Sequence, residues 1–317
     1  MMLKSKLAPL AGAPQPFDQI LHQAGQVIFG KGTEIRLAVA CLLANGHLLI
    51  EDLPGMGKTT LAHTLARLLG LQFSRIQFTS DLLPADILGV SVFDQASGSF
   101  SFHPGPIFRQ LVLADEINRS TPKTQSALLE AMEEVQVSVE GQTRALPSPF
   151  FVIATQNPVS LAGTFPLPES QLDRFLMRIG IGYPDPRAER ILLERSSEGD
   201  RGAGLPQLLG VADLCAMRSA ASTVSLSPLL LDYVQRLVAH TRTSGGFHFG
   251  LSPRGSIAIV RAARTWAWMA GRQHAVPEDV QAILPAVVEH RLRATADGDG
   301  RHGAALAHRL LTEVDVF

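Results

Sequence analysis

Residues 48–62 read LLIEDLPGMGKTTLA, and no other stretch limits the possible folds so sharply. A short apolar run (47–51) enters a loop, PGMGKTT, and helix-forming spacing follows over residues 58–69. A loop that cradles phosphate needs backbone N–H groups turned inward, so it needs residues that tolerate unusual dihedrals. Gly55 and Gly57 supply them, with Pro54, Met56 and Thr60 completing the loop. Lys58 carries a positive charge suited to β- and γ-phosphates, and the Thr59 hydroxyl can ligate Mg²⁺. The helix that follows aims its N-terminal dipole at the anion. One letter is out of pattern: G-x-x-x-x-G-K-[ST] asks for glycine where Asp52 stands. At the exit of the strand, Asp52 is expected to lie apart from residues 55–59 with its carboxylate pointing outward.

A second element makes a chance GKT hard to sustain. LVLADEINR (111–119) is an apolar run ending in Asp115 and Glu116. A carboxylate at the C-terminal end of a buried strand, beside a phosphate loop, can hold Mg²⁺ through water, and the next can polarise an attacking water. Taken alone, the same pair of acids would also suit a helix N-terminus. A third run, FFVIATQNP (150–158), ends in Asn157, placed either to touch a γ-phosphate or simply to form the turn before Pro158. Arg174 in QLDRF and Arg254 in LSPRG read locally as surface or first-turn charges.

Residues 17–184 alternate short apolar runs with helical patterns, which predicts a βαβ-type layered domain with a mostly parallel sheet. Two hairpins are expected on it, at 91–103, turning at 96–98, and at 135–146, turning at Glu140–Gly141. After YPDP (183–186) the periodicity becomes helical, at 187–197, 211–219, 227–243, 253–271 and 277–290. A smaller α-helical domain over 187–317 is predicted, with a loop at 294–303 and a last short helix. Residues 1–16 read as a loose tail rather than a signal peptide. With 28 basic and 29 acidic residues, the net charge of −1 gives no global attraction for nucleic acid or an acidic membrane. The apolar run at 37–50 is too short to span a bilayer. Cys41 and Cys215 fall in apolar helical patterns and are expected to be buried in a reduced, cytoplasmic protein.

The order PGMGKTT, ADEINRSTPKTQSALLEAMEE, ATQNP and LPESQLDRFLMRI resembles the MoxR family of AAA+ ATPases, and LSPRGSIAIVRAAR…WAWMAGR…VPEDV resembles that family's lid. The resemblance covers nearly the whole chain after Phe17. It implies an AAA+ αβα core plus a smaller all-α lid, ATP and Mg²⁺ as cofactors, and ATP hydrolysis in a ring, a hexamer by that likeness. It makes Lys58 and Thr59 the Walker A residues, Asp115 and Glu116 Walker B, and Asn157 sensor 1. Arg174 becomes an arginine finger reaching a neighbouring subunit, and Arg254 sensor 2. The 91–103 hairpin becomes the helix-2 insert, and 135–146 the hairpin before sensor 1. Glu-Asp before the loop is a familiar variant of the family. Gly30 would lie near adenine, followed by Lys31 where relatives often have glutamine, and Arg119-Ser-Thr-Pro122 carries one proline where relatives often have two. The resemblance also implies chaperone-like work on a protein client, including complex assembly or metal insertion, with a partner carrying a von Willebrand factor A domain. The rival readings are a metal-chelatase motor subunit, a scaffold that binds ATP without turnover, which Glu116 argues against, and a nucleic-acid motor. The last is disfavoured by the charge balance and by the lack of a zinc ribbon or OB-type domain.

Overall fold

The computed structural model describes residues 15–96, 98–158, 163–195, 202, 204–295 and 303–316. Residues 1–14 of the expected tail, and 296–302 of the expected 294–303 loop, lie outside the described residues. Along the chain β1 is Leu48–Glu51, β2 Phe73–Gln77, β3 Gly89–Asp94, β4 Ser99–Pro104, β5 Leu111–Asp115, β6 Gln136–Val139, β7 Gln142–Ala145, β8 Phe151–Gln156 and β9 Met177–Ile179. The helices are α1 Gln15–Gly25, α2 Gly32–Leu43, α3 Lys58–Leu68, α4 Pro84–Leu88, α5 Pro122–Glu134, α6 Glu169–Leu172, α7 Pro186–Glu194, α8 Val211–Ser222, α9 Pro228–Thr243, α10 Pro253–Met269, α11 Pro277–Val288 and α12 Gly303–Glu313.

Five strands form one parallel sheet in the order β2-β5-β8-β1-β9. The central strands β5 and β8 are covered on both faces, which is why they read as unbroken apolar runs. The edges were not foreseen as strands: β2 (FSRIQ) is half exposed, and β9 (MRI) has three residues. Alternation assigns Leu48, Ile50, Leu111, Leu113, Phe151 and Ile153 to one face, whose core runs on into α8–α11. Leu49, Val112, Ala114 and Val152 face the other way, against α5. Apolar packing is therefore continuous from the sheet into the helical lid.

Both expected hairpins form. β3 pairs with β4 in antiparallel register, and β6 with β7 across Glu140 (φ 54°) and Gly141 (φ 76°), the paired positive φ of a tight two-residue turn. Three lid helices, α7, α9 and α10, open with a side-chain N-cap and proline at the first helical position, as with Ser227–Pro228 and Ser252–Pro253, where a missing N–H costs nothing. One expectation fails. Cys215 is exposed on α8 while Cys41 is buried, because the apolar period of α8 sends Leu214 and Met217 inward and turns position 215 to solvent. No helix among the described residues is long and apolar enough to cross a membrane.

Candidate functional site

In a parallel sheet all strand C-termini share one edge, the edge where open α/β sheets place their ligands. The 52–57 loop leaves β1 at that edge. Gly55 and Gly57 have φ of 81° and 85°, and a Cβ at either would meet open space, so the concavity is clear for an anion. Gly57 caps α3, whose first residue is Lys58. Lys58 Nζ donates to the carbonyls of Asp52 (2.5 Å) and Leu53 (3.0 Å). Burial lowers the Lys58 pKa, while the charges of Asp52, Asp115 and Glu116 oppose that shift. Thr59 is half-buried beside it, and Thr60, Pro54 and Gly55 are exposed.

Asp52 departs from expectation. Its carboxylate turns toward the exit of β9, where Oδ2 accepts from the N–H groups of Ile181 (2.7 Å) and Gly182 (2.5 Å), and Oδ1 accepts from Leu53 N–H (2.8 Å). Two backbone donors with no other partner in the neighbouring chain segment attract the nearest carboxylate, and β1–β9 pairing brings them within reach.

Two strands from β1, β5 delivers Asp115 and Glu116 to the same edge. Glu116 has left-handed backbone angles (φ 56°, ψ 49°), an uncommon state for a non-glycine residue and one that clusters at functional sites. The conformation is held by Thr155 on β8, whose Oγ1 accepts from Glu116 N–H (2.9 Å) and donates to Asp115 Oδ1 (2.6 Å). Two neighbours from β2 complete the group. Arg75 Nη2 donates to Asp115 Oδ2 at 2.6 Å, and Gln77 Nε2 to Glu116 Oε2 at 3.1 Å, with Arg119 Nη1 also on Glu116 Oε2 (2.9 Å). Sequence reasoning missed Arg75, Gln77 and Thr155. The available signal was positional: Gln77 and Thr155 are polar residues near the C-terminal end of a strand, and Arg75 stands at the middle of β2. The Arg75 guanidinium stands on Asp115 where a divalent cation would, so the oxygen donors of Asp115 and Thr59 fit a Mg²⁺–nucleotide.

Asn157 follows β8, whose Gln156 pairs with Glu51 and accepts from Asp52 N–H (3.2 Å), so it lies beside the start of the loop. Gly30 (φ 71°) packs against the start of α7, where a Cβ would come within 3.0 Å of Asp185 Oδ2. Lys31 Nζ donates to Tyr183 O (2.8 Å), closing the same corner.

The two arginines lie elsewhere. Arg174 precedes β9 and so sits at the opposite, N-terminal edge of the sheet, where it pairs with Glu133 (3.0 Å). Arg254, at the start of α10, pairs with the other oxygen of the same carboxylate. Glu133 lies near the end of α5, which starts beside Glu116 and runs back along the sheet, about 17 Å over eleven residues. A cavity of about 700 Å³ at this edge is lined by Arg174, Arg218, Arg254, Arg261 and Arg291, with Glu133 and Asp173 as its acids. Arg291 is 4% exposed and stitches the lid to the residues around Arg174, donating to Asp173 Oδ1 (2.7 Å) and the carbonyls of Phe175 (2.6 Å) and Leu176 (3.2 Å).

A parallel sheet with a glycine-rich loop after β1, adjacent acids after β5 and a helical lid define a nucleotide-binding ATPase of the AAA+ class. Residues 47–177 match the model of the ATPase family associated with various cellular activities, and residues 239–310 match an AAA lid domain. The Bacillus subtilis strain 168 protein named Uncharacterized protein YeaC is 41% identical over 100% of this chain and 98% of its own length. Chaperone MoxR1 of Mycobacterium tuberculosis is 40% identical over 91% of this chain and 78% of its own. A crystal structure of a candidate ATPase from Cytophaga hutchinsonii superposes with a TM-score of 0.87 at 34% identity, covering 95% of this chain and 94% of that one. The chain belongs to the MoxR family of AAA+ ATPases, and it is an ATP-hydrolysing enzyme.

Proposed function

We propose that this chain hydrolyses Mg²⁺–ATP at the interface between neighbouring copies of itself in a closed ring, a hexamer, and couples turnover to remodelling a protein client. In this reading Lys58 and the loop amides from Pro54 to Thr60 hold the phosphates, and Gly30 borders the base. Thr59 and, through water, Asp115 hold Mg²⁺, which supplies charge neutralisation of the phosphates. Glu116 takes up the proton of the attacking water, and Asn157 orients that water. Lys58 meets the phosphates with the donor that its two carbonyl contacts leave unused, and Arg75 leaves Asp115 when the charged ligand arrives.

The observation that carries the ring is the convergence of Arg174 and Arg254 on Glu133 at the N-terminal edge. Neither arginine can serve the subunit's own phosphates from there. Four residues of β1 alone separate the edges by about 13 Å. A head-to-tail neighbour meets both arginines with its own loop, and a repeated heterologous contact of this kind closes into a ring. An arginine supplied in trans contributes about 10³–10⁵ in rate. Arg254 then acts on the same neighbouring site as Arg174.

Remodelling of a client, with assembly of complexes or insertion of a metal as its outcome, is the reading that family membership favours. So are a partner with a von Willebrand factor A domain and a cytoplasmic setting. The deciding experiment mixes Arg174→Ala subunits with Glu116→Gln subunits, each inactive alone. Recovery of turnover is expected, because some interfaces then join an intact Glu116 to an intact Arg174. No recovery at any ratio rules out the trans assignment.

A further inference from the structure

Gln125 is a polar residue on an apolar stripe. The α5 positions that share its face, Leu128, Leu129 and Met132, pack into the core against the sheet, and the helical period alone would favour an apolar side chain at 125. Yet Gln125 is 1% exposed. Its Nε2 donates to three carbonyls, Phe165 O at 2.9 Å, Ser120 O at 3.1 Å and Ile117 O at 3.2 Å, so its two N–H groups are shared among three acceptors. Two of those carbonyls belong to the turn that follows Glu116, and Ile117 and Ser120 are both fully buried. Phe165 grips the same turn from its other side, donating its N–H to Asn118 O (2.7 Å). Within the turn, Arg119 N–H donates to Glu116 O (2.8 Å), and Asn118 Nδ2 reaches Asn157 O (3.5 Å).

We infer that Gln125 is a positioning residue for Glu116, acting through the turn at 117–120. The inference rests on the ATPase reading above and deepens it. Glu116 keeps left-handed backbone angles, which a residue with a Cβ holds only where its surroundings fix them. Thr155 fixes its N–H on one side. On the other side stands a single short 3₁₀ turn, with little hydrogen bonding of its own. The turn's carbonyls are buried away from bulk water, so the group that donates to them decides where the backbone runs. Gln125 is that group, carried on a helix whose own place is set by the core. Arg119, which donates to Glu116 Oε2 (2.9 Å), rides on the same turn. A side chain without donors at 125 takes one hydrogen bond from each of the three carbonyls. The turn then relaxes and the Glu116 carboxylate leaves its place at the C-terminal edge. The phosphate loop leaves β1, two strands away, so nucleotide binding is spared.

The test uses full-length Gln125→Met, of similar length and without donors, and Gln125→Glu, nearly isosteric, in case the first unfolds. Affinity for a fluorescent N-methylanthraniloyl ATP and steady-state ATP turnover are measured for each. Affinity is expected to stay within about threefold of wild type while kcat falls about tenfold or more, the split of an interaction that counts only in the transition state. Each variant is then mixed with Arg174→Ala subunits and, separately, with Glu116→Gln subunits. Turnover above the weighted mean of the components is expected with Arg174→Ala, because the Gln125 variant still lends its neighbour a sound Arg174. No recovery is expected with Glu116→Gln, because no interface then has a sound Glu116. A smaller loss of kcat overturns the inference. So does recovery with Glu116→Gln, which assigns the effect to Arg174 by way of Phe165, and so does recovery with neither partner, which marks a general structural role. Loss of nucleotide affinity in both variants overturns it for that same reason. The mixture of Arg174→Ala with Glu116→Gln is the control: if it fails to recover, the trans assignment falls, and the split between kcat and affinity decides alone. A wild-type chain that neither binds nor hydrolyses ATP removes the ATPase reading and this inference together.

Discussion

The two edges of the central sheet carry complementary chemistry. At the C-terminal edge Asp52, Asp115 and Glu116 surround a clear concavity whose cations, Lys58 and Arg75, rest on loop carbonyls and on Asp115. At the N-terminal edge five arginines line one cavity against two acids. The first edge has the parts to bind Mg²⁺ and phosphate. The second has Arg174 and Arg254 on Glu133 and Arg291 on Asp173. In the proposed ring one subunit presents two halves of a charge-complementary joint, and electrostatic complementarity of this kind fixes the register of assembly more than its strength.

The comparison breaks most sharply if the two edges respond alike to substitution. Arg174→Ala should lower kcat by about 10³-fold or more with ATP affinity nearly unchanged, because the arginine acts only on charge developing in the transition state. Lys58→Ala, at the other edge, should instead abolish measurable binding in an equilibrium titration. If Arg174→Ala weakens nucleotide binding and spares kcat, the division between the edges is wrong.

Next in size, Glu116→Gln should lower turnover by about 10²–10⁴-fold while leaving ATP bound, the loss expected for a positioned general base. Isothermal titration beside a phosphate-release assay separates the two effects. Retained turnover would mean that another group orients the water.

A smaller effect tests how the arginine edge is built. Arg291→Ala removes a buried guanidinium that joins the end of α11 to Asp173, Phe175 and Leu176, taking a charge-assisted donor from each. A loss of about 3 kcal/mol in denaturant unfolding is expected. A loss under about 1 kcal/mol would mean the lid does not depend on this knot.

The smallest effect comes from His47, under the same edge. Its Nδ1 accepts from Val152 N–H (3.0 Å) and its Nε2 faces Met132 O (3.1 Å), so the neutral ring joins β1, β8 and α5. Burial pushes its pKa down to about 4. The folded value lies below the unfolded one, so the unfolded chain takes up the proton first as pH falls through about 6.5. Stability is full above that pH, declines toward about 4, and is level below it. Between pH 6.5 and 5 this amounts to about 2 kcal/mol, at about 1.4 kcal/mol per pH unit. His47→Gln should remove that part of the pH dependence of the unfolding midpoint; an unchanged profile would assign the dependence to other groups.

Much of the fold and half of the site were legible in the chain itself. β1, β5 and β8 are apolar because both of their faces are buried, and the polar residues that end them lie at one edge by the geometry of a parallel sheet. Gly55, Gly57, Lys58, Asp115 and Glu116 could therefore be read as one site before any coordinates. Turn chemistry likewise marked Glu140–Gly141, and the helical apolar period marked the lid helices. The edge strands β2 and β9 could not be read, because a strand with one protected side has no continuous apolar run. Arg75 and Gln77 were lost with β2.

The sequence by itself determined the form of the glycine-rich loop and its lysine, because loop conformation and helix dipole are local properties of a few consecutive residues. Only the tertiary structure decided where Asp52, Arg174 and Arg254 lie and what they contact. Asp52 finds Ile181 and Gly182 only because β9 lies beside β1, and Arg254 meets Arg174 only because α5 carries Glu133 down to the far edge. The range of a charge or a hydrogen bond is a few ångströms in space, and it bears no relation to separation along the chain.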